Sequence, residues 1–239
     1  MAGKLCVIGD SITGGVVYRD DTGRYVKCKE SFVNLLAAAL GLDVHNHSRF
    51  GCTSTAALER MGRYESDIAD CPDTLIMLGG NDSDFDWPAV AEAPEEKHEC
   101  NTPIDRFTEA YAKVLDKVIA LGSRPIALNL IPVFGRRYYE WFSQKADPEN
   151  LMRFLGTTDS IEHWNEMYNI AVMRVAASRG VPVLDVRSAF LYRRVFDPLF
   201  SRDGIHPSVE GHRKMYEFLL PQLKQLLGCE TDLKICTAC

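Results

Sequence analysis

Lys4-Leu5-Cys6-Val7-Ile8-Gly9-Asp10-Ser11 is the stretch that decides how this chain folds. A short apolar run with β-branched residues, stopped by a glycine and followed at once by Asp and Ser, reads as a buried parallel strand ending in a tight polar turn. In an open α/β sheet, ligands gather beyond the carboxyl ends of the strands, so Ser11 stands where chemistry is placed. Taken alone, Asp10 and Ser11 serve equally well as turn and cap residues.

Composition sets the outer limits. With 239 residues, 46% hydrophobic and 25% charged, the chain belongs with soluble globular proteins large enough to bury a core. A formal net charge of −6 argues against a nucleic-acid or anionic-membrane partner, since either favours a basic face. Met1 to Lys4 lead straight into the first strand, which leaves no stretch for a signal peptide, and a cytoplasmic location is expected. The eight cysteines are then expected to be mostly reduced thiols. Residues 1–228 read as one domain, and Cys229, Cys236 and Cys239 mark 229–239 as a tail.

Outward from Ser11, strand-like and helix-like segments alternate. Arg19 to Lys29 reads as an exposed polar loop, and Ser31 caps a helix ended by Gly41. Leu42 to Asn46, Thr74 to Leu78, Arg124 to Leu130 and Val181 to Val186 read as four further strands. A helix follows Pro103, another starts at an Asp159/Glu162 capping box, and the last runs from Ser208 to about Leu227. Two long stretches, 83–102 and 131–158, read as irregular loops. The first is acidic; the second is dense in aromatics and arginine, including Arg137, Tyr138 and Trp141, and fits a substrate platform, a lid or a satellite core.

Three more segments carry polar groups to the same rim. Ser48 to Ser54 is a small-residue loop around Gly51 ahead of a helix, either an anion-donating turn or a plain connection capped by Ser54 or Thr55. Gly79-Gly80-Asn81-Asp82 ends the third strand; Asn81 either takes a positive φ in the turn or aims its amide at a developing oxyanion. In Asp203-Gly204-Ile205-His206-Pro207 the spacing lets a carboxylate reach Nδ1 of the imidazole while Nε2 faces the other way. His212 falls at the inward period of the last helix and reads as structural. His45 and His47 share a face of the second strand, but no third metal ligand is evident beside them.

Gly9-Asp10-Ser11, Gly51, Gly79-Gly80-Asn81-Asp82 and Asp203-Gly204-Ile205-His206-Pro207, in this order, resemble the four blocks of the SGNH (GDSL-type) hydrolase family. The resemblance implies a flavodoxin-like three-layer α/β/α fold with a five-stranded parallel sheet, strand order 2-1-3-4-5. It also implies Ser11, Asp203 and His206 as a catalytic triad, with the N–H groups of Ser11 and Gly51 and the Asn81 amide as oxyanion donors. Asp10, Tyr138 and Trp141 are expected to touch substrate. The expected activity is a serine esterase without metal or organic cofactor, cleaving short-chain acyl esters of a small molecule or oligosaccharide.

An acidic rim at 83–102 and an aromatic, Arg-bearing loop at 131–158 favour O-deacetylation of a carbohydrate. Lysophospholipase, thioesterase and aryl esterase are the alternatives with the same site. Two readings from other classes stand behind these: a flavodoxin-like small-ligand-binding module, and a metal-dependent phosphodiesterase using Asp10, Asp82, Asp203 and His206. The last helix, with Pro221 and more apolar residues than one face needs, is expected to pack on the sheet or on a second copy of the chain.

Overall fold

Leu5, Cys6, Val7 and Ile8 are each no more than 2% exposed, because β1 (Gly3–Gly9) is the strand that helices cover on both faces. The structure, a computed structural model, describes residues 3–192 and 197–228. The cysteines of the expected tail, 229, 236 and 239, lie outside the described residues.

After β1 the chain makes β2 (Val16–Arg19) and β3 (Arg24–Lys27), then α1 (Phe32–Leu40) and β4 (Leu42–Asn46). The segment expected as an exposed loop is thus an antiparallel hairpin, paired from Val16↔Lys27 to Arg19↔Arg24. Val16 and Val17 bury inward while the outer strand is mostly exposed, so the hydrophobic signal is confined to one strand of the pair. α1 forms as expected, with Ser31 Oγ accepting from the Asn34 N–H at its start and Gly41 at φ +62° at its end.

Next come α2 (Ser54–Arg60), α3 (Glu65–Asp70) and β5 (Asp73–Met77). Thr53, rather than Ser54 or Thr55, caps α2; Ser54 is drawn instead into the Asp82 carboxylate. Then follow α4 (Trp87–Glu92), α5 (Ile104–Ala120), β6 (Arg124–Leu128), α6 (Gly135–Phe142), α7 (Pro148–Leu155) and α8 (Asp159–Ser178). β7 (Val183–Leu184), α9 (Ser188–Leu191) and α10 (Val209–Leu226) close the described chain.

The two stretches read as irregular therefore contain short helices. α4 and α7 each start with an aspartate cap followed by proline in the first turn, Asp86 before Pro88 and Asp147 before Pro148. Segments this short are not stable helices alone; they form here by packing Trp87, Val90, Leu151 and Leu155 into a small second core. The Asp159/Glu162 capping box does not form, since Glu162 accepts the Gly135 N–H at 3.0 Å and so ties α8 to α6.

The main sheet has the order β4-β1-β5-β6-β7 with every pair parallel, which is the 2-1-3-4-5 arrangement once the hairpin is set aside. α1 packs against α10, while α2, α5 and α8 pack in series as the other layer. β7 is shorter than the apolar run suggests. The Asp185 N–H donates to Gln222 and the Val186 N–H to Asn129, which removes both from the ladder. β1 and β5 are neighbours whose connections leave in opposite directions, so the crevice beyond Gly9 and Met77 is the topological switch point.

Candidate active site

Ser11 follows β1 and Asn81 follows β5, so the parallel register that sets Gly9 beside Met77 delivers both to one rim. Gly79, at φ +135°, supplies the bend between β5 and Asn81, which itself keeps a negative φ. The third component arrives from before α10. There the Ser201 N–H donates to the His206 carbonyl at 2.8 Å, and the Ser201 hydroxyl donates to the Pro207 carbonyl. Gly204 sits at φ +76° where a Cβ would lie 2.7 Å from the Tyr138 nitrogen and 2.9 Å from the Phe134 carbonyl oxygen, so the loop can press against α6 only with glycine there.

This packing puts the His206 Nε2 atom 2.8 Å from Ser11 Oγ and Nδ1 2.6 Å from Asp203 Oδ2. The other Asp203 oxygen accepts the N–H groups of Ile205 and His206. Burial alone would raise the Asp203 pKa, but the hydrogen bonds and charge of His206 outweigh it and hold the carboxyl below its usual range. An ionised Asp203 fixes the proton on Nδ1 and leaves Nε2 as the acceptor facing Ser11. Ser11 is 6% exposed and His206 4%, so the pair is largely dry.

Asn81 Nδ2 donates to Asp10 Oδ2 at 3.2 Å and to the Cys52 carbonyl at 3.3 Å. Asp10 lines the cavity, yet its other oxygen accepts the Ile12 N–H at 2.9 Å, so the carboxylate expected to touch substrate instead holds the carboxamide. Burial raises its pKa from 3.8 to about 6. Gly51, at φ +69°, lies at an exposed turn and does not line the cavity; its neighbour Phe50 does.

A cavity of about 370 Å³ opens from Ser11 and His206 toward α4, α6 and α8. Tyr138 and Trp141 both line it. The Tyr138 hydroxyl is turned away from any ligand, however, donating to Asp84 at 2.7 Å, and the Trp87 indole N–H donates to the same carboxylate. Burial raises the Asp84 pKa, against these hydrogen bonds. The arginines expected over the site face elsewhere. Arg137 stacks on Phe134 and bonds the carbonyls of Asp197, Phe200 and Ser201, while Arg136 pairs with Glu140.

Sequence reading missed Tyr25, Phe50, Trp87 and Trp164 as cavity residues. Nothing local distinguishes them from core or surface aromatics, and only the fold of the hairpin and of the two helical insertions brings them together. Asp82, a metal ligand in the phosphodiesterase reading, has its carboxylate occupied by the Ser54 N–H and hydroxyl, the latter at 2.7 Å. His47 Nε2 lies 2.9 Å from Asp67 of α3, with His45 Nδ1 at 3.7 Å from the same oxygen. Among the described residues no three His, Cys, Asp or Glu side chains form a group that could hold a metal ion. No helix among them is long and apolar enough to cross a membrane.

No curated protein matches the chain. Solved structures with a similar fold include a lipase/acylhydrolase from Enterococcus faecalis, 19% identical with a TM-score of 0.67, covering 94% of this chain and 96% of that one. An acetylxylan esterase, Axe2, from Geobacillus stearothermophilus is 23% identical with a TM-score of 0.61, over 92% and 94%. The esterase EstA from Pseudoalteromonas sp. is 15% identical with a TM-score of 0.61, over 95% and 99%. The model of the GDSL-like Lipase/Acylhydrolase family matches residues 7–214, from within β1 into α10. That span takes in every segment from which the rim is built, and the chain accordingly belongs to the GDSL-like, or SGNH, family of ester-hydrolysing enzymes.

Proposed function

We propose that the protein is a serine esterase that works through an acyl-enzyme. The observation that carries this reading is the continuous relay from Ser11 Oγ to His206 Nε2 at 2.8 Å and from His206 Nδ1 to Asp203 at 2.6 Å. His206 takes the Ser11 proton as Oγ bonds to the ester carbonyl carbon, and the carbonyl π electrons move onto oxygen. The N–H of Ser11 and the amide of Asn81, which turns from the Cys52 carbonyl to reach it, are the donors for that oxyanion; Gly51, off the cavity wall, is not among them. When the oxyanion collapses, the alcohol leaves with the proton held by His206; water then repeats the sequence and releases the acid.

The best-supported substrate is an ester with an apolar acyl group larger than acetyl. Leu130, Ile131, Trp87, Phe142, Ile161 and Trp164 wall the cavity, and about 370 Å³ is room for a drug-sized moiety. A second reading, O-deacetylation of a carbohydrate, draws on Trp141, a flat ring on the cavity wall, and on the exposed Lys145, which lines it too.

Ser11→Ala tests the enzyme class: hydrolysis of p-nitrophenyl acetate and labelling by a fluorophosphonate should both disappear, and a variant with the wild-type rate would overturn the proposal. A series of p-nitrophenyl esters tests the acyl group. Each methylene buried in the cavity should raise kcat/KM roughly fourfold until the space is filled. A peak at acetyl, with acetylated oligosaccharides better still, would favour the carbohydrate reading.

A further inference from the structure

Two aromatic rings on the cavity wall stand against His206, and the hydroxyl of one of them, Tyr25, bonds to Asp203. Tyr25 is on β3 and Phe50 lies between β4 and α2, and both line the cavity. The Tyr25 ring centroid is 5.1 Å from that of His206 at 54°, and Phe50 stacks on the same imidazole at 5.7 Å and 16°. The two rings also meet one another at 5.3 Å and 59°. Neither is buried: Tyr25 is 37% exposed and Phe50 55%.

The hairpin that carries Tyr25 is anchored at the site. The Tyr18 N–H donates to Ser201 Oγ at 3.2 Å, and the Tyr18 ring meets Trp141 edge-on at 4.8 Å. Half-exposed aromatics held in place beside a reactive imidazole keep apolar surface that a ligand can cover.

We infer that Tyr25 and Phe50 form a leaving-group site for an aromatic alcohol at the His206 end of the cavity, an inference that rests on the serine-esterase reading above. The departing oxygen must come within about 3 Å of His206 Nε2 to take its proton. Its substituent then lies in the shell around the imidazole, which these two rings occupy. The Trp87 and Trp164 rings pack on Phe85 instead. Two rings inclined at 59° to each other let a third, flat ring stack on one while meeting the other edge-on, the arrangements that aromatic quadrupoles favour. A saturated ring of the same size fills the space without that gain.

The test compares benzyl acetate with cyclohexylmethyl acetate, which share the acyl group and the number of heavy atoms, each rate normalised to its rate with hydroxide. In the wild-type protein the normalised kcat/KM should favour the benzyl ester by roughly tenfold. In Phe50→Leu the ratio should fall toward one, and in Tyr25→Leu likewise. A wild-type ratio near one, or a ratio unchanged in both variants, would overturn the leaving-group site. Ser11→Ala separates the two layers of inference. If it still hydrolyses both esters, the serine mechanism fails; if it is inactive while the wild-type ratio stays near one, only the aromatic-alcohol site fails.

Discussion

The Asn81 amide donates to Asp10 Oδ2 at 3.2 Å, so the residue before Ser11 orients the carboxamide that closes the rim from the neighbouring strand. An ionised Asp10 accepts this bond; a protonated one presents a hydrogen where a lone pair is needed. The pKa of about 6 that burial imposes on Asp10 puts this change inside the working pH range.

Asp10→Asn is therefore expected to alter the acid limb of log kcat/KM. In the wild-type protein Asp10 must be ionised to hold the carboxamide, so the limb should carry a group titrating near 6 that the variant lacks, and the variant should have a lower plateau. Stability shifts as well. The folded carboxyl has the higher pKa, so the folded state binds more protons between about pH 4 and 6, and stability falls as pH rises through that window. Removing the charge should shift the difference in unfolding free energy toward the variant by about 2 to 3 kcal/mol from pH 4 to pH 7, measured by urea titration.

Asn81→Ala removes an oxyanion donor and leaves Asp10 Oδ2 without its amide partner. Turnover should fall about a hundred- to a thousandfold. Unlike a purely catalytic loss, it should also cost about 1 to 2 kcal/mol of stability. Steady-state kinetics and chemical denaturation on one preparation check both.

Asp203→Asn tests whether anything else holds the imidazole. Nδ1 is 2.6 Å from Asp203 Oδ2, which makes the carboxylate the orienting partner. The variant should lose activity by about four orders of magnitude, less than Ser11→Ala. Because the folded carboxyl titrates below its unfolded value, its contribution to stability is present above the ordinary Asp range and lost as pH falls through the folded pKa. Acid denaturation of the variant should lack that component.

His212, fully buried with its ring 6.0 Å from Phe32, is lowered by burial from 6.5 to about 4. The unfolded chain takes the proton first, so stability is lost as pH falls from about 6.5 to 4. His212→Leu should abolish this loss, worth about 3 kcal/mol across the window. Its slope opposes that of Asp10 over nearly the same pH range, so the wild-type profile should be flatter than that of either single variant.

Much of the frame is readable in the chain because its signals are local. Leu5 to Ile8, Leu75 to Leu78 and Ile126 to Leu128 are apolar runs, since a strand covered on both faces needs apolar residues at every position. Ser31 and Gly41 bracket α1 through bonds made within a few residues. Asp203 and His206 are three residues apart, and their contact hardly depends on the rest of the fold.

What only the tertiary structure decides are the contacts between segments that carry no mark of one another. Short amphipathic pieces such as α4 and α7 have too little helical stability of their own to announce themselves and exist because they share one small core. The acidic side chains at the rim were divided by burial: Asp82 went to Ser54 and Asp10 to Asn81, both read as ligand-facing, and Asp84 went to Tyr138 and Trp87. A buried carboxylate must find donors wherever the fold supplies them, and their sequence separation has no bearing on that need. The chain alone determined the sheet and the residues at its rim; packing determined which of them face a substrate, because that depends on what else had to be satisfied first.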